Sequence, residues 1–129
     1  MKAQRIAGWV LSVLLVVFLC GPSAMGKFTD WEGKEEMFEK IGLTDDLVRK
    51  IGVLEIAIAI PFLIPRTAFV SAILMTGYLG GAVITHLRIG EPFYFPVILG
   101  VLLWCALGLR RPEVFQLAVG QRSTPPKDG

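Results

Sequence analysis

Charge is scarce in this sequence. Only 19% of its 129 residues are Asp, Glu, Lys or Arg, against 53% hydrophobic ones. A soluble domain of that size needs more polar material than this to cover its surface. The mean hydropathy of +0.61 points the same way. A formal net charge of +2 is too small to suggest nucleic acid, and the basic residues form no stripe with interleaved aromatics. Cysteine is limited to Cys20 and Cys105, with no CxxC, which excludes zinc ribbons and thioredoxin-type redox motifs. The single histidine, His86, has no companions at metal-ligand spacing. No nucleophile elbow, phosphate-cradling glycine loop or other catalytic motif is present.

Long apolar runs are what the chain has instead. Thr67 to His86 holds about twenty residues with no charge before His86, the length a helix rising about 1.5 Å per residue needs to cross a bilayer core. Gly77 and Gly81 stand four apart with Thr85 beyond them, so one face is small enough for another helix to approach closely. A buried core helix of a soluble protein would account for one such run but not for three more. Lys2 and Arg5 precede Ile6–Cys20, which reads as a retained first membrane helix rather than a cleaved signal. Leu47–Ile64 is the second run, kinked at Pro61, and Phe93–Leu109 is the fourth. The expected fold is therefore all-α: an integral membrane bundle of four helices spanning a lipid bilayer.

Between the first two spans, Lys27–Lys50 is the one substantial polar segment. Thr29 with Glu32 resembles a capping box, and Met37, Phe38 and Ile41 fall on one face, which predicts a short interfacial helix ended by Gly42. Thr44-Asp45-Asp46 then looks like a helix start. Residues 1–112 form the membrane domain in this reading, and 113–129 a polar, disordered tail. Four crossings put both termini on one side. Arg66, Arg110 and Arg111 abut span ends on that side, whereas basic residues of the long loop are interleaved with acids. The expected placement is the cell membrane, multi-pass, with both termini cytoplasmic.

Glu55 is the sharpest polar signal. A carboxylate inside a membrane helix costs a few kcal/mol on insertion scales, so it faces other helices and takes a partner. A hydroxyl such as that of Thr85 or Tyr78 would serve a structural role; a proton relay or a polar anchor for a headgroup would be functional. Lys27 and His86 each lie near a span end on the loop-rich side, with Glu55 about 5 to 10 Å deeper, so the three can form a polar funnel. A histidine near an interface is also often simply solvated. Cys20 and Cys105 fall near opposite ends of their spans, offset by about 10 Å or more, beyond disulfide reach.

Four pieces of sequence resemble the DoxX-like family of small four-helix membrane proteins. They are Gly26-Lys27-Phe28, IGVLEIAIAIPFLIPRT at 51–67, GYLGGAVITHLRIGEP at 77–92 and LWCALGLRRP at 103–112. The second and third are fairly specific as a pair. The family pattern matches at Lys27, Glu55 and His86; Pro22-Ser23-Ala24 departs from it where a helix would ordinarily continue. The family's namesake is similar to a membrane subunit of a thiosulfate:quinone oxidoreductase. The resemblance thus implies an accessory or anchoring subunit linked to quinone or redox chemistry, with a redox enzyme or a second copy as partner. Two other roles fit the residues: a small-molecule carrier using a Glu55–His86 pathway, and a purely structural membrane protein.

Overall fold

A computed structural model describes residues 2–120. All regular structure among them is helical. The first helix, α1 (Lys2–Phe18), passes through a π turn (Leu19–Ser23) into α2 (Ala24–Phe28). Then come α3 (Lys34–Ile41), α4 (Asp45–Ala59) with a 3-10 turn (Ile60–Leu63), α5 (Ala68–Arg88), α6 (Tyr94–Arg110) and α7 (Glu113–Ala118). Two stretches are long and apolar enough to cross a membrane: Lys2–Phe28, of 27 residues, and Ala68–Arg88, of 21. Tyr94–Arg110 is apolar but shorter.

Local chemistry explains the boundaries. Pro22 brings no N–H and would crowd the carbonyl a turn before it, and the wider π turn accommodates it without ending the helix. Pro61 tightens the end of α4 into the 3-10 turn in the same way. Thr44 caps α4, its hydroxyl accepting the Leu47 N–H at 3.2 Å, and Gly42 closes α3 at φ 88°. The capping box expected at Thr29 and Glu32 does not form. The first helix runs on to Phe28, so Thr29 donates instead to the Met25 carbonyl, and α3 starts later, after Gly33 at φ 84°. The disorder expected from residue 113 onward gives way to α7, whose Phe115 ring covers Gly108; residues 121–129 lie outside those described.

Helix α1 packs on α6, α6 on α5, α5 on α4, and α4 on α2 and the π turn. The shared core holds Leu15, Val16 and Leu19, Ile58, Ala59 and Phe62, Ala72, Met75 and Leu79, and Leu103, Ala106 and Leu107. Outside it the helices remain apolar: Val13, Leu14, Val17, Val53, Leu54, Val70, Ile73, Leu74, Ile98 and Val101 are all exposed. Only 28% of the most apolar window of each long helix is buried, so most of that apolar surface is not covered by the described residues.

The glycines that permit close approach are not the expected ones. Among the described residues, a Cβ at Gly77, Gly80 or Gly81 would meet nothing within 4 Å, so that face is not a close helix contact there. At Gly8 a Cβ would come within 2.9 Å of the Ala106 carbonyl and the Arg110 backbone, and at Gly52 within 3.0 Å of the Phe28 ring. These two positions bring α1 against α6 and α2 against α4.

Arg110 is buried beside Gly8. Its Nη1 donates to Ser12 Oγ at 3.1 Å and to the Phe62 carbonyl at 2.8 Å, which the end of the 3-10 turn leaves without a helical donor. The guanidinium lies 3.8 Å from the centroid of the Trp9 ring. Such stacking offsets part of the cost of burying the charge.

Candidate functional site

Glu55 is fully buried, at 0% exposure, one turn before the end of α4. Its neighbours follow from the backbone around it. Gly52 sits one turn earlier on the same face and lets α2 come close, its absent side chain leaving room for the Phe28 ring and the Lys27 stem. The π turn adds an extra residue to its turn of helix, and Ser23 and Lys27, four apart, both turn toward α4.

Both carboxylate oxygens are therefore occupied. Ser23 Oγ donates to Oε1 at 2.5 Å, and Lys27 Nζ donates to Oε2 at 2.9 Å. The Lys27 ammonium also donates to the Ser23 carbonyl at 3.1 Å. Its side chain keeps 18% of its surface, against none for Glu55, so the pair has one partly open edge. A buried carboxylate is thus held by an ammonium and a hydroxyl inside an otherwise apolar packing. Such a set can donate hydrogen bonds to an acceptor and exchange a proton.

The expected grouping of Lys27, Glu55 and His86 forms only for the first two. His86 Nδ1 lies 2.6 Å from the Ala82 carbonyl of its own helix. Among the described residues no hydrogen bond or ion pair joins His86 to Lys27, Ser23 or Glu55. Thr85, a suggested partner for Glu55, donates to the Gly81 carbonyl instead. Ser23 was not anticipated. Its signal was Pro22, since a proline inside an apolar helical run forces a local change of register.

A second polar cluster adjoins the first. Lys34, at the start of α3, is 3% exposed. Its Nζ donates to the Lys27 carbonyl at 3.1 Å and reaches Asp45 Oδ1 at 3.3 Å. That hydrogen bond from Lys34, with Arg49 adding its charge, holds the Asp45 carboxyl below its ordinary value.

Helices with apolar outer faces around one buried, ion-paired acid define a class of small membrane-type helical protein. The chain belongs to the DoxX-like family, whose family model matches residues 10–107. Comparison with curated proteins and with solved structures gives no match. Family membership and the apolar helices together support a membrane location.

Proposed function

We propose that this protein crosses the membrane four times with both termini cytoplasmic, and serves as an accessory subunit to a quinone-linked redox enzyme. In this reading the Lys27–Glu55 site contacts the quinone headgroup. Four crossings are supported by the exposed apolar side chains on α1, α4, α5 and α6. The orientation is supported by charge. At the end formed by the start of α1, the 3-10 turn and the end of α6, the described cations are Lys2, Arg5, Arg66, Arg110 and Arg111, against one acid, Glu113. Beyond Lys27 the cations of the opposite end lie mostly within the longer polar segment, interleaved with acids, whereas Arg66, Arg110 and Arg111 abut span ends, where the positive-inside bias is read.

The observation that carries the site reading is the pair itself: a wholly buried Glu55 held by a Lys27 that still keeps an open edge. A quinone carbonyl needs a hydrogen-bond donor, which Lys27 supplies. Glu55, beside that donor, can exchange a proton with the bound headgroup. A carrier pathway through Glu55 and His86 has less support, because His86 is turned to its own helix.

The test is purification in mild detergent of the wild type, Glu55→Gln and Lys27→Met, with quinones and co-eluting proteins measured by mass spectrometry. The expected result is quinone or a redox partner with the wild type and its loss in both variants at intact fold. Wild-type protein free of both, or variants that retain them fully, would overturn the reading.

A further inference from the structure

A lysine is almost never fully buried without a compelling partner, yet Lys34 is 3% exposed in the polar segment, where water is within reach. What it holds explains this. The first helix ends at Phe28, so its last carbonyls have no helical donors. The Met25 carbonyl still takes the Thr29 N–H at 2.9 Å, and the residues that follow cap the next ones: Trp31 Nε1 donates to the Gly26 carbonyl at 2.9 Å, and Lys34 Nζ to the Lys27 carbonyl at 3.1 Å. The ammonium also sits at the negative end of the helix dipole. Its second partner, Asp45, is the first residue of α4.

Lys34 therefore spans the two helices that carry the ion pair. Through Lys27 it grips the very residue whose side chain reaches Glu55, and through Asp45 the start of the helix on which Glu55 sits. We propose that Lys34 is a positioning residue for the Lys27–Glu55 site, clamping α2 to α4 so that the Lys27 ammonium stays on the carboxylate. Gly33 at φ 84° and Gly42 at φ 88° flank α3 and let this segment fold back across the helix ends, a geometry other residues adopt only with strain. The segment from 29 to 45 is then the part of the protein through which an event at this surface reaches the buried pair. The inference rests on the Lys27–Glu55 site as described and needs no particular ligand.

The test reads Glu55 directly. Dicyclohexylcarbodiimide is an apolar reagent that modifies protonated carboxyl groups in apolar surroundings, and its adduct on Glu55 is quantified by peptide mass spectrometry at one fixed pH. In the wild type, with both oxygens occupied, labelling is expected to be slow. Lys27→Met sets the upper limit. Lys34→Met should raise the rate about tenfold, the equilibrium worth of a hydrogen bond to a charged group, and Lys34→Arg should restore it toward wild type. Asp45→Asn, which keeps the carbonyl contact, should fall between. Unfolding midpoints are measured alongside. If Lys34→Met is too unstable to purify, Asp45→Asn decides: an unchanged labelling rate there overturns the clamp. Wild-type labelling in a folded Lys34→Met, beside fast labelling in Lys27→Met, overturns it as well. Slow labelling in Lys27→Met overturns the ion pair itself, and the proposed function with it.

Discussion

Removing one member of the Lys27–Glu55 pair should cost far more than removing both. Breaking a buried ion pair on one side leaves a charge without a partner and costs about 3–5 kcal/mol, whereas replacing both groups with apolar ones is often neutral. The two single changes should also differ from each other. Lys27 keeps 18% of its side-chain surface and Glu55 none. A widowed lysine can bend its long stem toward water, so Glu55→Leu should cost about 1–2 kcal/mol. A widowed Glu55 cannot escape and retains only the Ser23 hydroxyl, so Lys27→Met should cost about 3 kcal/mol, the lower end of the range because the pair is not wholly dry. In the double variant Ser23 can turn its hydroxyl to a carbonyl of its own helix, and stability should return to within about 1 kcal/mol of wild type. The coupling is then about 3 to 5 kcal/mol. The assay is reversible unfolding in mixed mild-detergent and dodecyl sulfate micelles, read by tryptophan fluorescence. A Lys27→Met cost below about 1 kcal/mol would refute the buried pair, and a double variant as unstable as Lys27→Met would refute the coupling.

Three further outcomes follow from single positions. Gly8→Ala places a Cβ 2.9 Å from two backbone atoms of α6, which cannot swing away, so it should destabilise by about 1–3 kcal/mol in the same unfolding assay; a neutral result would mean that α1 and α6 are not so close. Gly108→Ala places a Cβ 2.1 Å from the Phe115 ring, an exposed side chain that can move, so α7 should undock and be cut faster in limited proteolysis with little change in the unfolding midpoint. Asp45→Asn should be less stable than wild type at neutral pH. Because the folded carboxyl titrates below its ordinary value, its contribution is present above about pH 4 and fades as pH falls further, so the two unfolding midpoints should converge in acid; a gap that persists there would assign the loss to something other than the Lys34 ion pair.

The helical segments were legible because apolar run length and proline or glycine punctuation determine them. The sequence places helices over Leu47–Ile64 and Phe93–Leu109, and α4 with its 3-10 turn and α6 fall within a few residues of those bounds. Helix-to-helix contacts were less legible. Gly77 and Gly81 carry the spacing associated with packing, yet the close approaches are at Gly8 and Gly52. Gly8 with Ser12 has the same four-residue spacing within the first apolar run, so the signal was present twice and the sequence does not say which copy is used. Glu55 was legible as a buried acid needing a partner, but the partner depended on register. Pro22 reads as a possible helix end, and only a turn that widens around it puts Ser23 and Lys27 on the face toward α4. Arg110 reads as an interfacial residue closing its span. It is buried because the 3-10 turn leaves the Phe62 carbonyl unpaired, which composition cannot reveal.

Arg110 and Glu55 pose the same question with different answers. Each is a charged group buried among apolar helices, and each carries a desolvation cost that an apolar residue would avoid. Arg110 serves the backbone: without its Nη1 the Phe62 carbonyl would be buried and unsatisfied, so the charge has a structural reason to be there. Glu55 serves no backbone group. Its carboxylate meets only the side chains of Ser23 and Lys27, both of which have other partners within their own helix. The one backbone partner of the pair, the Ser23 carbonyl, lies in Lys27's own helix, so replacing the pair by apolar residues would break no contact to the backbone of another helix. That contrast within a single chain is the physical argument for looking for chemistry at Lys27–Glu55 and not at Arg110.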